Sequence, residues 1–137
     1  MTAYSLALLL AILSGFVGLG RRGAWLSAAM LTVAAALGIF ASAQTLYGGR
    51  TWALDLGGGF FQGSPVLRFD AIAAFFLVPT LLLPALAARY GLAYLAEHQE
   101  SARRVRLFLG LLTASLGLQV ADSHAFDYLL AWETNAI

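Results

Sequence analysis

The chain has 137 residues, of which 61% are hydrophobic and only 11% charged. Soluble domains carry about 45–50% apolar and about 25% charged residues, so the composition is that of an integral membrane protein. A net charge of +1 gives no nucleic-acid signal, and the absence of cysteine excludes disulfides, iron–sulfur clusters and thiolate metal sites within the chain.

Ala3 to Leu19 is an uncharged run at the short end of what crosses a hydrocarbon core about 30 Å thick. A secretory signal peptide needs positive charge ahead of its apolar core. Here Arg21 and Arg22 follow the run instead, so it is expected to be a retained first helix. Gly20-Arg-Arg-Gly23 is a tight polar turn, and Ala24 to Tyr47 is a second uncharged run long enough to span with tilt. From Gly48 to Phe69 the pattern changes. Thr51-Trp-Ala-Leu-Asp-Leu56 alternates like a strand, Gly57-Gly-Gly59 supplies turn residues, and Val66 to Phe69 follows Pro65 as a second extended piece. This predicts an extramembrane β-hairpin over about 50–69.

Asp70 opens a third helix, Ala71 to about Tyr94, where an acid suits the positive end of the dipole. Pro79 and Pro84 inside it predict a kink. Glu97 to Arg106 reads as a charged loop, and Leu107 to Ala121 as a short fourth helix. Gly110, Ala114, Gly117 and Ala121 fall on one face, which lets a neighbouring helix approach closely. After the polar turn Asp122-Ser-His124, Ala125 to Ile137 begins a fifth helix. At 1.5 Å per residue that piece rises only about 20 Å, short of a full span. The expected fold is an all-α membrane protein in one domain, residues 1–137. It has four helices (about 3–19, 24–47, 71–94 and 107–121), a truncated fifth (about 125–137), and one short extracytoplasmic hairpin.

All eight basic residues are Arg. They concentrate in the first loop (Arg21, Arg22) and the third (Arg103, Arg104, Arg106), with Arg89 able to snorkel toward the latter, while Arg50 and Arg68 are offset by Asp55 and Asp70. Excess Arg marks the cytoplasmic side. The expected topology is a multi-pass protein of the cell inner (plasma) membrane, with the N-terminus and hairpin outside and the 97–106 loop inside.

The residue that carries chemistry is Glu133, in Tyr128-Leu-Leu-Ala-Trp-Glu133. It falls about nine residues into the fifth helix, roughly 13 Å deep. A carboxylate there costs roughly 3 kcal/mol on insertion scales, and intramembrane acids mark proton or ion paths. Burial raises a carboxyl pKa and a nearby cation lowers it, so a site between the two can load and release a proton. The competing reading is a solvated acid at a frayed helix end. No cation precedes Glu133 in its own helix, so a partner must come from another helix. Asp127 is a secondary candidate, read first as a solvated helix-start acid.

His98 and His124 lack a companion at ligand spacing, so no metal site is expected. Gly57-Gly-Gly59 is followed by no Gly-Lys-Ser/Thr and is not a phosphate loop. Arg103-Arg-Val-Arg106 could touch anionic lipid headgroups, although a topology signal accounts for it. Trp25, Tyr47, Trp52 and Tyr94 lie near predicted helix ends, as interfacial anchors do. No nucleophile–base pair can be assembled, so no catalytic residue and no cofactor-binding residue is proposed.

Two segments carry a resemblance. Leu67-Arg-Phe-Asp-Ala-Ile-Ala-Ala-Phe-Phe76, directly after the hairpin, resembles the third-helix start of the antiporter-like membrane subunits of respiratory complex I and group 4 energy-converting hydrogenases. Asp122-Ser-His-Ala-Phe-Asp-Tyr-Leu-Leu-Ala-Trp-Glu133 resembles that family's fifth-helix start, where a Trp/Phe-Glu pair places the key glutamate. The Arg-Phe-Asp and Ala-Trp-Glu variants look most like the formate hydrogenlyase and hydrogenase-4 component B branch, with sodium/proton antiporter subunits close behind. The resemblance covers the whole chain as about the first third of a family member. It implies that Glu133 pairs with a lysine on a later helix and that protons pass along further buried residues. The implied partners are the lipid bilayer, other membrane subunits of a redox complex, and protons or sodium, with no cofactor in this chain. The family continues Trp-Glu-Leu-Met where this chain reads Trp-Glu-Thr134-Asn135, a polar departure that points to a partial reading frame. Two other readings stay open: a sodium/proton antiporter subunit without a redox partner, and a nonfunctional remnant or small assembly protein that transports nothing.

Overall fold

The computed structural model describes residues 2–20, 23–55, 66–95 and 99–121, together with Glu133. Its elements are α1 (Thr2–Gly18), α2 (Gly23–Gly48), β1 (Trp52–Asp55), β2 (Val66–Phe69), α3 (Ala71–Tyr94) and α4 (Gln99–Ala121). The helices form a ring in which α1 packs on α2, α2 on α3, α3 on α4 and α4 back on α1. The short α1–α2 turn, held by Gly20 N–H donating to the Val17 carbonyl and Gly23 N–H to the Gly20 carbonyl, makes those two helices antiparallel neighbours. One end of the ring carries this turn and the start of α4; the other carries the hairpin.

The interior is built from small residues. Ala7, Ala11, Gly15 and Gly18 of α1 and Ala34, Ala35 and Gly38 of α2 are buried at helical spacing. Tyr4, Leu31, Leu77 and Leu81 are buried among them, but many bulky side chains point outward: Leu6 is 50% exposed, Phe16 55% and Leu83 64%. In water this would leave an apolar surface far larger than soluble monomers tolerate. In lipid it is the expected distribution, because close backbone approach and dispersion hold the helices together, with no hydrophobic force between them. Among the described residues, three helices are long and apolar enough to cross a membrane: α2, α3 and the Ser101–Ala121 part of α4. At 17 residues, α1 is shorter.

The expected close approach through the fourth helix is present. A Cβ on Gly110 would lie 2.6 Å from the Gly15 amide nitrogen and 2.7 Å from the Ala11 carbonyl oxygen, so bare backbones of α1 and α4 meet there. Further along, Gly117 makes room for Leu8, and on the other side of the ring Gly38 makes room for Leu81.

The termini follow local chemistry. Asp70 is the N-cap of α3, its carboxylate accepting from Ile72 N–H and Ala73 N–H at 3.0 Å each. Gly49, at φ +61°, takes the left-handed conformation that ends α2, and its N–H donates to the Thr45 carbonyl. α3 runs unbroken through Pro79 and Pro84. The Thr80 hydroxyl donates to the Phe76 carbonyl at 2.8 Å in this stretch.

The two strands pair antiparallel with Trp52 opposite Phe69, Ala53 opposite Arg68 and Leu54 opposite Leu67. The hairpin expected over 50–69 is therefore present in its two strands. One boundary differs. The segment read as a charged loop, Glu97 to Arg106, is helical from Gln99 onward. Gln, Glu, Ala and Arg are all good helix formers and no Gly or Pro interrupts them, so α4 simply extends past the apolar stretch and carries its arginines on its first turns.

Candidate functional site

Glu133 has helical backbone and its side chain is exposed. Among the described residues it has no hydrogen-bond or ion-pair partner. The secondary candidate, Asp127, lies outside the described residues, as do His98, His124, Gly57-Gly-Gly59 and most of the expected fifth helix. The described residues hold no group of three or more His, Cys, Asp or Glu able to take a metal.

Polar structure gathers at the two ends of the ring. At the hairpin end, Tyr4 of α1 is 2% exposed and its hydroxyl donates to the Gly117 carbonyl of α4 at 2.8 Å. Its ring packs against Phe69 at 5.1 Å and Trp52 at 5.4 Å between centroids, and Trp52 stacks on Phe69 at 5.6 Å. Three aromatic rings thus fasten the hairpin onto the mouth of the bundle. Trp52, expected to be an interfacial anchor, is half-buried within this cluster. Trp25, Tyr47 and Tyr94 do stand exposed near helix ends. Thr45 adds a tie, its hydroxyl donating to the Arg50 carbonyl at 2.8 Å just beyond α2.

At the opposite end, arginines reach across between helices. Arg106 of α4 donates through Nη1 to the Gly18 carbonyl at 3.3 Å, placing a cation on the last turn of α1, the negative end of that helix. Arg89 of α3 donates through Nε to the Thr32 hydroxyl of α2 at 3.2 Å, and Thr32 donates to the Ala28 carbonyl. Arg89, expected to snorkel toward the third loop, is exposed and tethered to α2 in this way.

Sequence reasoning passed over Tyr4 and the two interhelical arginine contacts. A tyrosine, with a hydroxyl that needs a partner, in the first turn of an apolar helix was the signal for Tyr4. Nothing in sequence spacing pairs residues 18 and 106.

No family model matches the chain, and no curated protein matches its sequence.

Proposed function

We propose that this chain is the N-terminal portion of a proton-translocating, antiporter-like subunit of a redox-driven membrane complex. Glu133 is the residue that takes up and releases the proton. The observation that carries the reading is Glu133 itself: an acidic side chain on helical backbone, exposed, in a chain whose helices turn apolar side chains outward. A carboxylate on such a surface is costly against lipid and stable against a cation from another helix or subunit. The order of elements supports the same reading, with two helices, a hairpin, an Asp-capped third helix and an arginine-rich start to the fourth. In this proposal the arginine-bearing end faces the cytoplasm of the inner membrane, the hairpin faces outward, and the chain itself binds no redox cofactor.

Redox chemistry in partner subunits would change the distance between Glu133 and its cation, and with it the proton affinity of the carboxyl group. Glu133→Gln keeps size and hydrogen bonding but removes the titratable proton. Expressed in its native host with its partners, this variant should insert normally and lose redox-driven acidification of inverted membrane vesicles. Undiminished acidification at wild-type expression would remove Glu133 from the path. The chain reconstituted alone should give no proton flux.

A further inference from the structure

At the arginine-bearing end the ring does not close completely. A cavity of about 30 Å³ lies between α2, α3 and α4, bordered by Ser27, Ala28, Ala88, Gly91, Val105 and Arg106. It has room for one or two water-sized groups. Most of the residues that line it are apolar; Ser27 and Arg106 are the exceptions.

The arginines around it are poorly matched by the described residues. A guanidinium carries five N–H donors. Arg106 spends one on the Gly18 carbonyl, at a distance long for a charge-assisted bond, and makes no ion pair among the described residues. Arg103 lies three residues earlier on the same helix face, near enough for its charge to oppose that of Arg106. Its Nε is enclosed without a hydrogen-bond partner among the described residues. Arg106 borders the cavity and Arg103, one turn earlier on α4, adds a second cation at this end of the bundle; among the described residues they leave guanidinium donors for an anion that offers several oxygens in one plane or tetrahedron. Phosphate suits guanidinium groups for this reason.

The setting selects the source of that phosphate. Trp25, next in sequence to the cavity-lining Ala24, is 72% exposed, and Tyr90 and Tyr94, each 69% exposed, stack on one another at 5.6 Å on either side of Gly91. Exposed aromatic rings with polar tips settle at headgroup depth. Val105, which borders the cavity, and Phe108 of α4 are exposed apolar side chains.

We propose that Arg103 and Arg106 bind the phosphate of an anionic phospholipid. One phosphate oxygen enters the α2–α3–α4 cavity beside Ser27, and an acyl chain lies along Val105 and Phe108. This site requires only that the chain sit in a bilayer; it does not rest on the role of Glu133.

The test uses the full chain reconstituted in phosphatidylcholine vesicles containing about a tenth phosphatidylglycerol, extracted in mild detergent, with retained lipid identified by native mass spectrometry. The ratio of phosphatidylglycerol to phosphatidylcholine retained should exceed the vesicle ratio by roughly thirtyfold, the scale expected for two arginines at a membrane surface. The R103Q/R106Q variant should lose the enrichment. Because removing two arginines can also change insertion, Gly91→Leu provides a variant with every charge kept. A Cβ at Gly91 meets only Leu95 Cδ1 at 3.6 Å, so the larger side chain is free to fill the cavity, and enrichment should drop several-fold. Equal retention of the two lipids by the wild-type chain, or enrichment unchanged in both variants, would overturn the site. Loss of the bound lipid to millimolar inorganic phosphate would overturn the assignment to lipid.

Discussion

Substitution of Gly110 by alanine tests whether backbone contact between α1 and α4 holds the bundle together. The added methyl would lie 2.6 Å from Gly15 N, 2.7 Å from Ala11 O and 2.7 Å from Gly15 Cα. Non-bonded heavy atoms settle at about 3.5–4.0 Å, so the shortfall is about 1 Å. All three obstructing atoms are backbone, and no rotamer change removes them. α1 must move away bodily, and a gap of 0.5–1 Å forfeits about a quarter to a half of the dispersion attraction across it. Overpacking of this kind costs about 1–3 kcal/mol. The gain in helix propensity on replacing Gly by Ala, about 1 kcal/mol, works in the opposite direction.

Gly91→Ala receives a similar propensity gain without the clash, so the difference between the two variants isolates the contact. Gly117→Ala should fall between them, since its new methyl meets the flexible end of Leu8 rather than backbone. Unfolding in mild detergent by increasing SDS fraction, followed by circular dichroism, should rank stability as Gly91→Ala, then Gly117→Ala, then Gly110→Ala. The first and last should differ by about 1–3 kcal/mol. A Gly110→Ala chain as stable as Gly91→Ala would refute backbone contact at this crossing.

Tyr4→Phe keeps the aromatic cluster and deletes the hydroxyl that meets the Gly117 carbonyl. The same titration should show a loss of about 0.5–1.5 kcal/mol, and Tyr4→Ala should cost more because Trp52 and Phe69 lose their packing partner. Asp70→Ala removes both N-cap hydrogen bonds of α3 and should cost about 1 kcal/mol, with Asp70→Asn or Asp70→Ser recovering most of it. An Asp70→Ala chain with unchanged stability would mean that hairpin packing alone sets the start of α3.

Much of the helix layout was legible in the chain because lipid leaves little choice of structure. Uncharged runs near twenty residues must be helical to satisfy their own backbone groups. The strands at Trp52–Asp55 and Val66–Phe69 were legible from alternation and Gly-rich punctuation. The start of α4 was misread because charge was taken as a loop signal. Charge decides where a helix leaves the membrane, whereas Gly and Pro break it, and neither interrupts Gln99 to Arg106.

Composition and spacing alone thus established the apolar helices, the hairpin, the Asp70 cap and the small-residue face at Gly110, Ala114 and Gly117. Each depends on neighbours within a few residues or on the surrounding solvent. Which face meets which helix was settled only in three dimensions. The seating of Gly15 against Gly110, the reach of Arg106 to Gly18, and the packing of Tyr4 against Trp52 and Phe69 join residues far apart in the chain. Helices with apolar side chains all round carry no stripe that marks the inside. Their pairing is decided by the fit of small residues and a few polar ties, and that fit exists only once the helices have met.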